Sequence, residues 1–298
     1  MALAKLLHSD NASFLSALEQ AEAGNVSAQR QVGNCYMLGS GIERDFALAA
    51  YWYQKAAGQG HSGAQKCLGN MYANAMGVEQ DYTEAIKWYR LSAEAGNAKA
   101  RFNLGLMYQI GHGVEKNYEE AFYWQFLSAQ QGYAAAQFNV GLLYAAGKGS
   151  KKDLGQALEW FYCAAEQNHA MAQYNIGRAF EYGEGIPQNV CAAAQWYLRA
   201  AHNGDYDAQT SLAHMYNAGN GVEKNIKRAY IWFSCVSSQQ SLTAGDLKQL
   251  EQLLYMILPD EKAQLDEEVK ILLAQIEARK PVNLLAQVCV KKAAGEYN

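Results

Sequence analysis

Proline is scarce in this chain, and several features that would mark a function class are missing. Three prolines in 298 residues, beside abundant alanine and leucine, favour helix. No run of about eighteen apolar residues occurs, so we expect no membrane span. A formal charge of −4 gives no electrostatic reason to expect binding to nucleic acid or to anionic lipid.

Cysteine lacks the spacing of a metal site or of a disulfide framework. The six cysteines, which include none in a Cys-x-x-Cys arrangement, are spaced irregularly. We therefore expect small buried thiols in a reducing compartment. The apolar stretch after Met1 is too short and too broken for a signal peptide. These features predict a cytoplasmic protein.

Motifs for catalysis and cofactor binding are also missing. The sequence has no G-x-x-x-x-G-K-[ST], no H-E-x-x-H, no calcium loop and no G-x-S-x-G. His61 and His169 occupy equivalent turn positions and His112 lies between loop glycines, so we interpret them as solvated turn residues rather than metal ligands. We predict that the protein is not an enzyme and has no cofactor and no metal.

What the chain does contain is a repeat of fixed length. All six tryptophans fall 36 residues apart, at Trp52, Trp88, Trp124, Trp160, Trp196 and Trp232. Five glycines keep the same interval, at Gly33, Gly69, Gly105, Gly141 and Gly177, with Ala213 in the sixth place. A period in this range predicts a solenoid, in which each repeat buries its apolar face against its neighbours.

The third copy shows the design of one repeat. Ala100, Leu104 and Gly105 fall on one face of a first helix. A glycine inside a helix costs about 1 kcal/mol relative to alanine, so its recurrence predicts close approach of two helices. A second helix is expected to begin after the N-cap residue Asn117. We predict that its Trp124 is buried against alanine and glycine of the partner helix.

The pattern Ala-x-x-x-Leu-Gly-x-x-Tyr, then Gly-x-Gly-Val-x-x-Asp/Asn, then Ala-x-x-Trp-Tyr-x-x-Ala-Ala-x-x-Gly resembles the Sel1-like repeat family. That family is related to the tetratricopeptide repeats, and the match covers about residues 25–238. The resemblance implies an all-α fold in which antiparallel helix pairs stack into a right-handed α-solenoid. We assign six repeats to residues 25–240.

The two ends of the chain depart from the repeat. Ala21 and Gly24 lie 36 residues before Ala57 and Gly60, which predicts a half-repeat cap over residues 1–24. Beyond residue 240, we predict a C-terminal helical cap over residues 241–298; the alternative is a dimerisation or partner-binding helix. Its helical stripes are Leu247, Leu250, Leu254 and Ile257, then Leu265, Val269, Leu272 and Ile276, with a third segment over 282–293.

The family geometry places first helices on a concave groove, which gives a candidate binding site for a protein or peptide. One register of outward residues is Arg30, Lys66, Phe102, Phe138, Tyr174 and Thr210, and the next is Asn34, Asn70, Leu106, Leu142, Arg178 and His214. We expect partner side chains on the apolar middle of this groove and an acidic group on Arg30 and Lys66. The alternative is that Phe102, Phe138 and Tyr174 are packing residues.

The resemblance implies a non-enzymatic interaction scaffold or adaptor, with bacterial signalling adaptors and host-directed effectors among the family. An endoplasmic-reticulum degradation component also belongs to it. A cell-wall-binding, penicillin-binding or β-lactamase-like hydrolase is the first alternative, disfavoured because no Ser-x-x-Lys occurs. A structural protein that self-associates through its C-terminal helices is the second.

Overall fold

Helices make up the architecture throughout the part of the chain described by the computed structural model, residues 2–240 and 242–279, with side chains from residue 12 onward. The predicted third segment over 282–293 and Cys289 lie outside these residues. Fifteen helices and no strand occur in the described residues: α1 (Ala2–Glu22), α2 (Val26–Leu38), α3 (Phe46–Gly58), α4 (Ser62–Asn74), α5 (Tyr82–Glu94), α6 (Ala98–Ile110), α7 (Tyr118–Ala129), α8 (Ala134–Ala146), α9 (Leu154–Glu166), α10 (Ala170–Tyr182), α11 (Val190–His202), α12 (Tyr206–Ala218), α13 (Ile226–Ser237), α14 (Ala244–Met256) and α15 (Pro259–Arg279).

Six helical hairpins, α2–α3 through α12–α13, follow one another along the chain and confirm the predicted all-α fold class of paired, stacked helices. The chain divides into two compact units, and each is described by itself. Among the described residues, unit 1 runs to residue 136 and includes 148–150, whereas unit 2 contains 137–147 and everything from 151 onward. The predicted domain boundaries after residues 24 and 240 stay a prediction.

Local sequence signals set the ends of the helices. Asn117 accepts hydrogen bonds at its Oδ1 from the N–H groups of Glu119 and Glu120, at 2.9 and 3.1 Å, and so caps α7. This confirms the predicted N-cap, and the second helices of the other five hairpins are capped in the same way, by Asp45, Asp81, Asp153, Asn189 and Asn225. First helices end at a residue whose backbone has the left-handed conformation. This residue is Gly111 in the third copy (φ 87°) and Ala75 in the second (φ 54°).

The regular 36-residue interval of glycines is explained by a second-helix side chain that lies on each of them within a hairpin, an aromatic ring at four of the five glycines and Gln125 at Gly105. A methyl group on Gly177 would lie 2.6 Å from the ring of Tyr197, and one on Gly33 would lie 2.7 Å from Tyr53. The side chain at each glycine comes from the residue after the tryptophan, not from the tryptophan itself. The prediction that tryptophan packs on this glycine is therefore wrong.

The tryptophans join one hairpin to the preceding one instead. Trp124 on α7 belongs to a core cluster with Tyr89 and Leu104, and Trp52 on α3 packs with Phe14 on α1. In unit 2, Trp232 on α13 packs in a cluster that includes Tyr197 on α11. Trp52, Trp124 and Trp232 are buried, and Trp88, Trp160 and Trp196 are half-buried. Tryptophan thus supplies the apolar contact between repeats.

Buried polar side chains fix the stacking register. The Nε2 of Gln173 donates to the carbonyl oxygen of Ala165 at 3.0 Å, and Gln209 makes the same bond to Ala201 at 3.1 Å. In unit 1, Gln29 and Gln65 make this bond as well, and in the third repeat Arg101 takes their place and donates from Nε to Ala93 at 3.0 Å. Each bond satisfies a carbonyl near the end of the preceding second helix, a group that would otherwise be costly to bury.

The last two helices pack on the sixth hairpin. Leu253 on α14 is 2% exposed, and Leu265 and Ile276 on α15 are also buried. The stripe predicted for α14 is wrong at its first residue, because Leu247 is exposed and Leu253 supplies the buried contact. The capping and self-association roles both stay predictions.

Two N-caps of first helices in unit 2 are largely shielded from solvent, and one of them corrects a further expectation. His169 is half-buried, and its Nδ1 accepts from the N–H of Ala172 at 3.3 Å, so it is not a solvated turn residue. Burial lowers the pKa of His169 to about 4. Asp205 accepts from the N–H of Ala208 at 2.9 Å in the equivalent place. Burial raises the pKa of Asp205 to about 6.

We expect Gly177→Ala to destabilise the protein by about 1–3 kcal/mol, because the added methyl group overlaps the ring of Tyr197. Gly58→Ala is the control, since a methyl group there meets nothing within 4 Å. That control should be neutral or stabilising by up to about 1 kcal/mol. Urea unfolding followed by circular dichroism measures both, and equal stabilities for the two variants would contradict the crossing contact.

The two caps should give opposite dependences of stability on pH. The neutral imidazole of His169 stabilises the fold above its unfolded pKa of about 6.5, and this stability is lost as the pH falls toward 4. Asp205 stabilises below its unfolded pKa near 4, and that stability is lost as the pH rises through 6. Each effect amounts to about 3 kcal/mol at most, at about 1.4 kcal/mol per pKa unit.

Substitution to asparagine tests these signs, because Asn25 and Asn97 cap the equivalent helices. We compare the free energy of unfolding of each variant with that of the unsubstituted protein. The deficit of His169→Asn should grow as the pH rises from 4 to 6. The deficit of Asp205→Asn should grow as the pH falls from 6 to 4. Urea unfolding free energies at pH 4, 5, 6 and 7 provide the comparison. Parallel profiles for the two variants would show that the buried caps do not titrate as described.

Candidate binding faces

The predicted site residues lie on the first helices of the hairpins, and those of each unit define its candidate face. The unit-1 face comprises Arg30, Asn34, Lys66, Asn70, Phe102 and Leu106 from α2, α4 and α6. The unit-2 face comprises Leu142, Tyr174, Arg178 and His214 from α8, α10 and α12. A single groove through all six repeats stays a prediction.

Asparagine side chains on the unit-1 face are held by tyrosines from the second helices. The hydroxyl of Tyr53 donates to Oδ1 of Asn34 at 2.7 Å, and that of Tyr89 donates to Oδ1 of Asn70 at 2.8 Å. Asn103 also donates from Nδ2 to Asn70, at 2.9 Å. These bonds orient the amides, and burial raises the pKa of Tyr53. The recurring 19-residue spacing from asparagine to tyrosine was the sequence signal for them.

The basic residues of the unit-1 face occupy the same position on consecutive first helices. Arg30 on α2 is exposed, and its Nε would lie 3.1 Å from a methyl group placed on Gly63, at the beginning of α4. Lys66 on α4 is half-buried. Two cations on neighbouring helices give this face a positive character suited to a carboxylate.

Phe102 and Phe138 are less exposed than the outward orientation predicted for them. Phe138 is 7% exposed. Its ring stacks on His169, with centroids 4.7 Å apart, and lies tilted against Phe161 at 5.7 Å. The outward orientation predicted for Phe138 is therefore wrong, and the packing alternative describes it. Phe102 is half-buried and meets Tyr133 edge-on at 5.3 Å. Both rings pack on the residue that precedes the next first helix, which explains their recurrence.

An exposed stripe on α10 is the main feature of the unit-2 face. Met171, Tyr174, Arg178 and Tyr182 are spaced three, four and four residues apart, so they fall on one side of the helix. Met171 is 45% exposed and Tyr182 is 61% exposed, whereas Tyr174 is half-buried. The guanidinium carbon of Arg178 lies 5.7 Å from the centre of the Tyr182 ring. Sequence reasoning missed Met171 and Tyr182, although their helical spacing from Arg178 was readable.

Leu142 on α8 is a further exposed apolar residue on this face, with 39% of its surface accessible. His214 on α12 lies instead against the C-terminal helices. Its Nε2 is 2.9 Å from Oδ1 of Asp246 on α14, and its ring meets Phe233 edge-on. His214 is thus tied to the chain's own α14, and the unit-2 face is best represented by α8 and α10.

Metal sites and membrane spans are not found in the structure as far as it is described. No group of three or more His, Cys, Asp or Glu side chains there could hold a metal ion. The helices described are all too short or too polar to cross a membrane. The expectation of buried thiols holds for Cys235 and is wrong for Cys163 and Cys191, which are exposed.

Comparison with known proteins agrees with this geometry. The Sel1 repeat model matches six consecutive segments, residues 26–61, 64–97, 98–133, 134–169, 170–205 and 207–240. A Sel1 repeat protein from Oxalobacter formigenes is 32% identical over 78% of this chain and 99% of its own, with a TM-score of 0.68. No curated protein matches the chain.

A second solved structure is c5321, described as a protective antigen of uropathogenic Escherichia coli strains that displays an SLR fold. It is 35% identical over 76% of this chain, with a TM-score of 0.74. The match spans 49% of the Escherichia coli protein, about half its length. Because the repeats cover most of the sequence and the hairpins recur in both relatives, this chain belongs to the Sel1 repeat family.

Proposed function

We propose that the protein is an interaction scaffold whose unit-2 face binds a short peptide carrying apolar side chains and an acidic group. Sel1 repeat proteins generally mediate protein–protein interaction, and the family is typically non-enzymatic. The proposal extends that general role to one surface of this chain. The setting we propose is a signalling adaptor in the bacterial cytoplasm or an effector delivered to a host cell.

The observation that carries the proposal is the exposed stripe on α10. Apolar side chains that are exposed together on a helix mark interaction surfaces more often than single ones do. Met171 and Tyr182 are exposed beside Leu142, and Arg178 lies over the Tyr182 ring. Tyrosine and arginine are the residue types that contribute most to binding energy at protein interfaces.

The chemistry of the stripe indicates the kind of peptide. A partner's aliphatic or aromatic side chains would cover Leu142 and Met171, which are 39% and 45% exposed. The guanidinium of Arg178 would pair with a carboxylate through parallel N–H donors. Arg30 and Lys66 on the unit-1 face support the same preference for acidic partners, since both are cations on neighbouring first helices.

Self-association is the second candidate function, favoured by one observation at the C-terminal end. Tyr255, Met256 and Leu258, where α14 meets α15, are 92%, 63% and 65% exposed. A second copy of the chain could cover this patch. The hydrolase alternative has no comparable support, because the sequence contains no Ser-x-x-Lys.

Peptide selection tests the proposed face. On an array of peptides with acidic–apolar, basic–apolar and neutral–apolar compositions, we expect the acidic–apolar group to bind preferentially. Arg178→Glu should weaken the best of these peptides at least about tenfold in fluorescence anisotropy, the loss of one charge-assisted contact. Lys248→Glu is the matched control, since Lys248 is an exposed cation on α14. A preference for basic peptides, or equal affinities for both variants, would exclude this face as the acidic-peptide site.

A further inference from the structure

The C-terminal helix α15 forms one wall of a cleft, and no internal hairpin has an equivalent of this helix. It packs across α13 and also contacts α11, and between these helices lies a concavity of about 340 Å³. Leu198 on α11, Ile231 and Trp232 on α13, and Ile271 and Leu272 on α15 supply its apolar walls. None of these residues belongs to the unit-2 face, so the cleft is a separate site.

Both ends of α15 are fixed, which holds the cleft open. Near its beginning, Glu261 accepts from Nζ of Lys227 at 2.8 Å, and Asp266 accepts from the hydroxyl of Tyr230 at 2.5 Å. At its end, Nη1 of Arg279 donates to the carbonyl oxygen of His202 at 3.3 Å. Leu265 and Ile276, on either side of the lining segment, are buried. The wall that α15 provides is therefore held from both sides.

An arginine at the cleft is already oriented by a neighbour. Nη1 of Arg228 donates to the hydroxyl of Tyr216 at 2.8 Å, and the guanidinium carbon lies 5.4 Å from the centre of the same ring. A guanidinium has five N–H donors, so this bond leaves donors for an anion. Glu268 also lines the cleft, and its negative charge disfavours ligands that carry more than one anionic group.

We propose that this cleft binds a small amphipathic carboxylate, with an aromatic or branched aliphatic body on the apolar walls and the carboxylate on Arg228. Small-molecule sites are mostly apolar concavities of about 300–1,000 Å³ with a few polar groups that set orientation. A volume of about 340 Å³ is at the lower end of that range and suits a body the size of an indole ring. This inference is independent of peptide binding by the unit-2 face.

Three indole compounds that differ in charge test the proposal on the full chain: indole-3-propionate, its neutral amide, and tryptamine. We expect indole-3-propionate to bind with a Kd of about 0.1–1 mM, as its size allows. The amide should bind about tenfold more weakly, and the tryptamine cation more weakly still. Isothermal titration calorimetry or protein-observed NMR measures all three.

Two arginine variants locate the bound anion. Arg228→Gln should reduce the affinity for indole-3-propionate to that for the amide, while Arg178→Gln should leave it unchanged. The control is matched, because Arg178 also lies over a tyrosine ring, but on α10. Ile271→Asn, at a side chain that is 52% exposed, should weaken the propionate and the amide by the same factor.

Several results would overturn the proposal. One is no binding of the propionate at 10 mM, on the order of ten times the weakest expected Kd. Another is equal affinities for the propionate and the amide. A third is an Arg178→Gln variant that loses as much affinity for the propionate as Arg228→Gln does. If Arg228→Gln unfolds, the propionate-to-amide ratio and the Ile271→Asn variant still decide the question. Failure of the peptide array would leave this outcome unaffected, since the two sites share no residue.

Discussion

The close crossing of the two helices in each hairpin is the constraint on which the rest of the structure depends. A first-helix glycine lies directly under a side chain from the second helix, as Gly33 does under Tyr53 and Gly177 under Tyr197. Without a Cβ, the glycine lets the ring approach the helix backbone, and the lost helix propensity of about 1 kcal/mol is offset by this burial.

The crossing also links the packing of the hairpin to its binding face. Tyr53 and Tyr89 are nearly fully buried, yet their hydroxyls emerge beside the first helix and hold Asn34 and Asn70. The same residues therefore stabilise the core and orient the surface amides. Tryptophan makes a different contact, because rings such as that of Trp124 pack on the preceding hairpin. Hairpin formation and hairpin stacking thus use separate aromatic positions.

Features set by local chemistry were predictable from the sequence. The 36-residue period predicts the helical hairpins. The Asp and Asn residues before each second helix predict its N-cap, because capping joins residues only two or three positions apart. The partner of each tryptophan was not predictable in this way. Trp124 and the residue that follows it, Gln125, are both buried, and only the three-dimensional crossing shows which of them meets Gly105.

The candidate site was partly predictable for the same reason. Helical register placed Arg178 and Leu142 on first-helix faces, but it could not show that Phe138 turns into the core between Phe161 and His169. Nor could it show that α14 reaches His214 through Asp246, because the two residues come from different parts of the sequence. Contacts between distant segments decide which outward positions are accessible, and helical periodicity carries no information about them.

The central functional claim is that the exposed stripe on α10 is the surface that receives a partner. Methionine methyl groups report on it directly, because Met171 lies within the stripe and Met256 is exposed at the C-terminal end. NMR of the ¹³C-methyl-methionine protein during titration with an acidic–apolar peptide is the decisive measurement. The resonance of Met171 should shift with saturation while that of Met256 stays in place. A shift of Met256 with an unchanged Met171 would contradict the account.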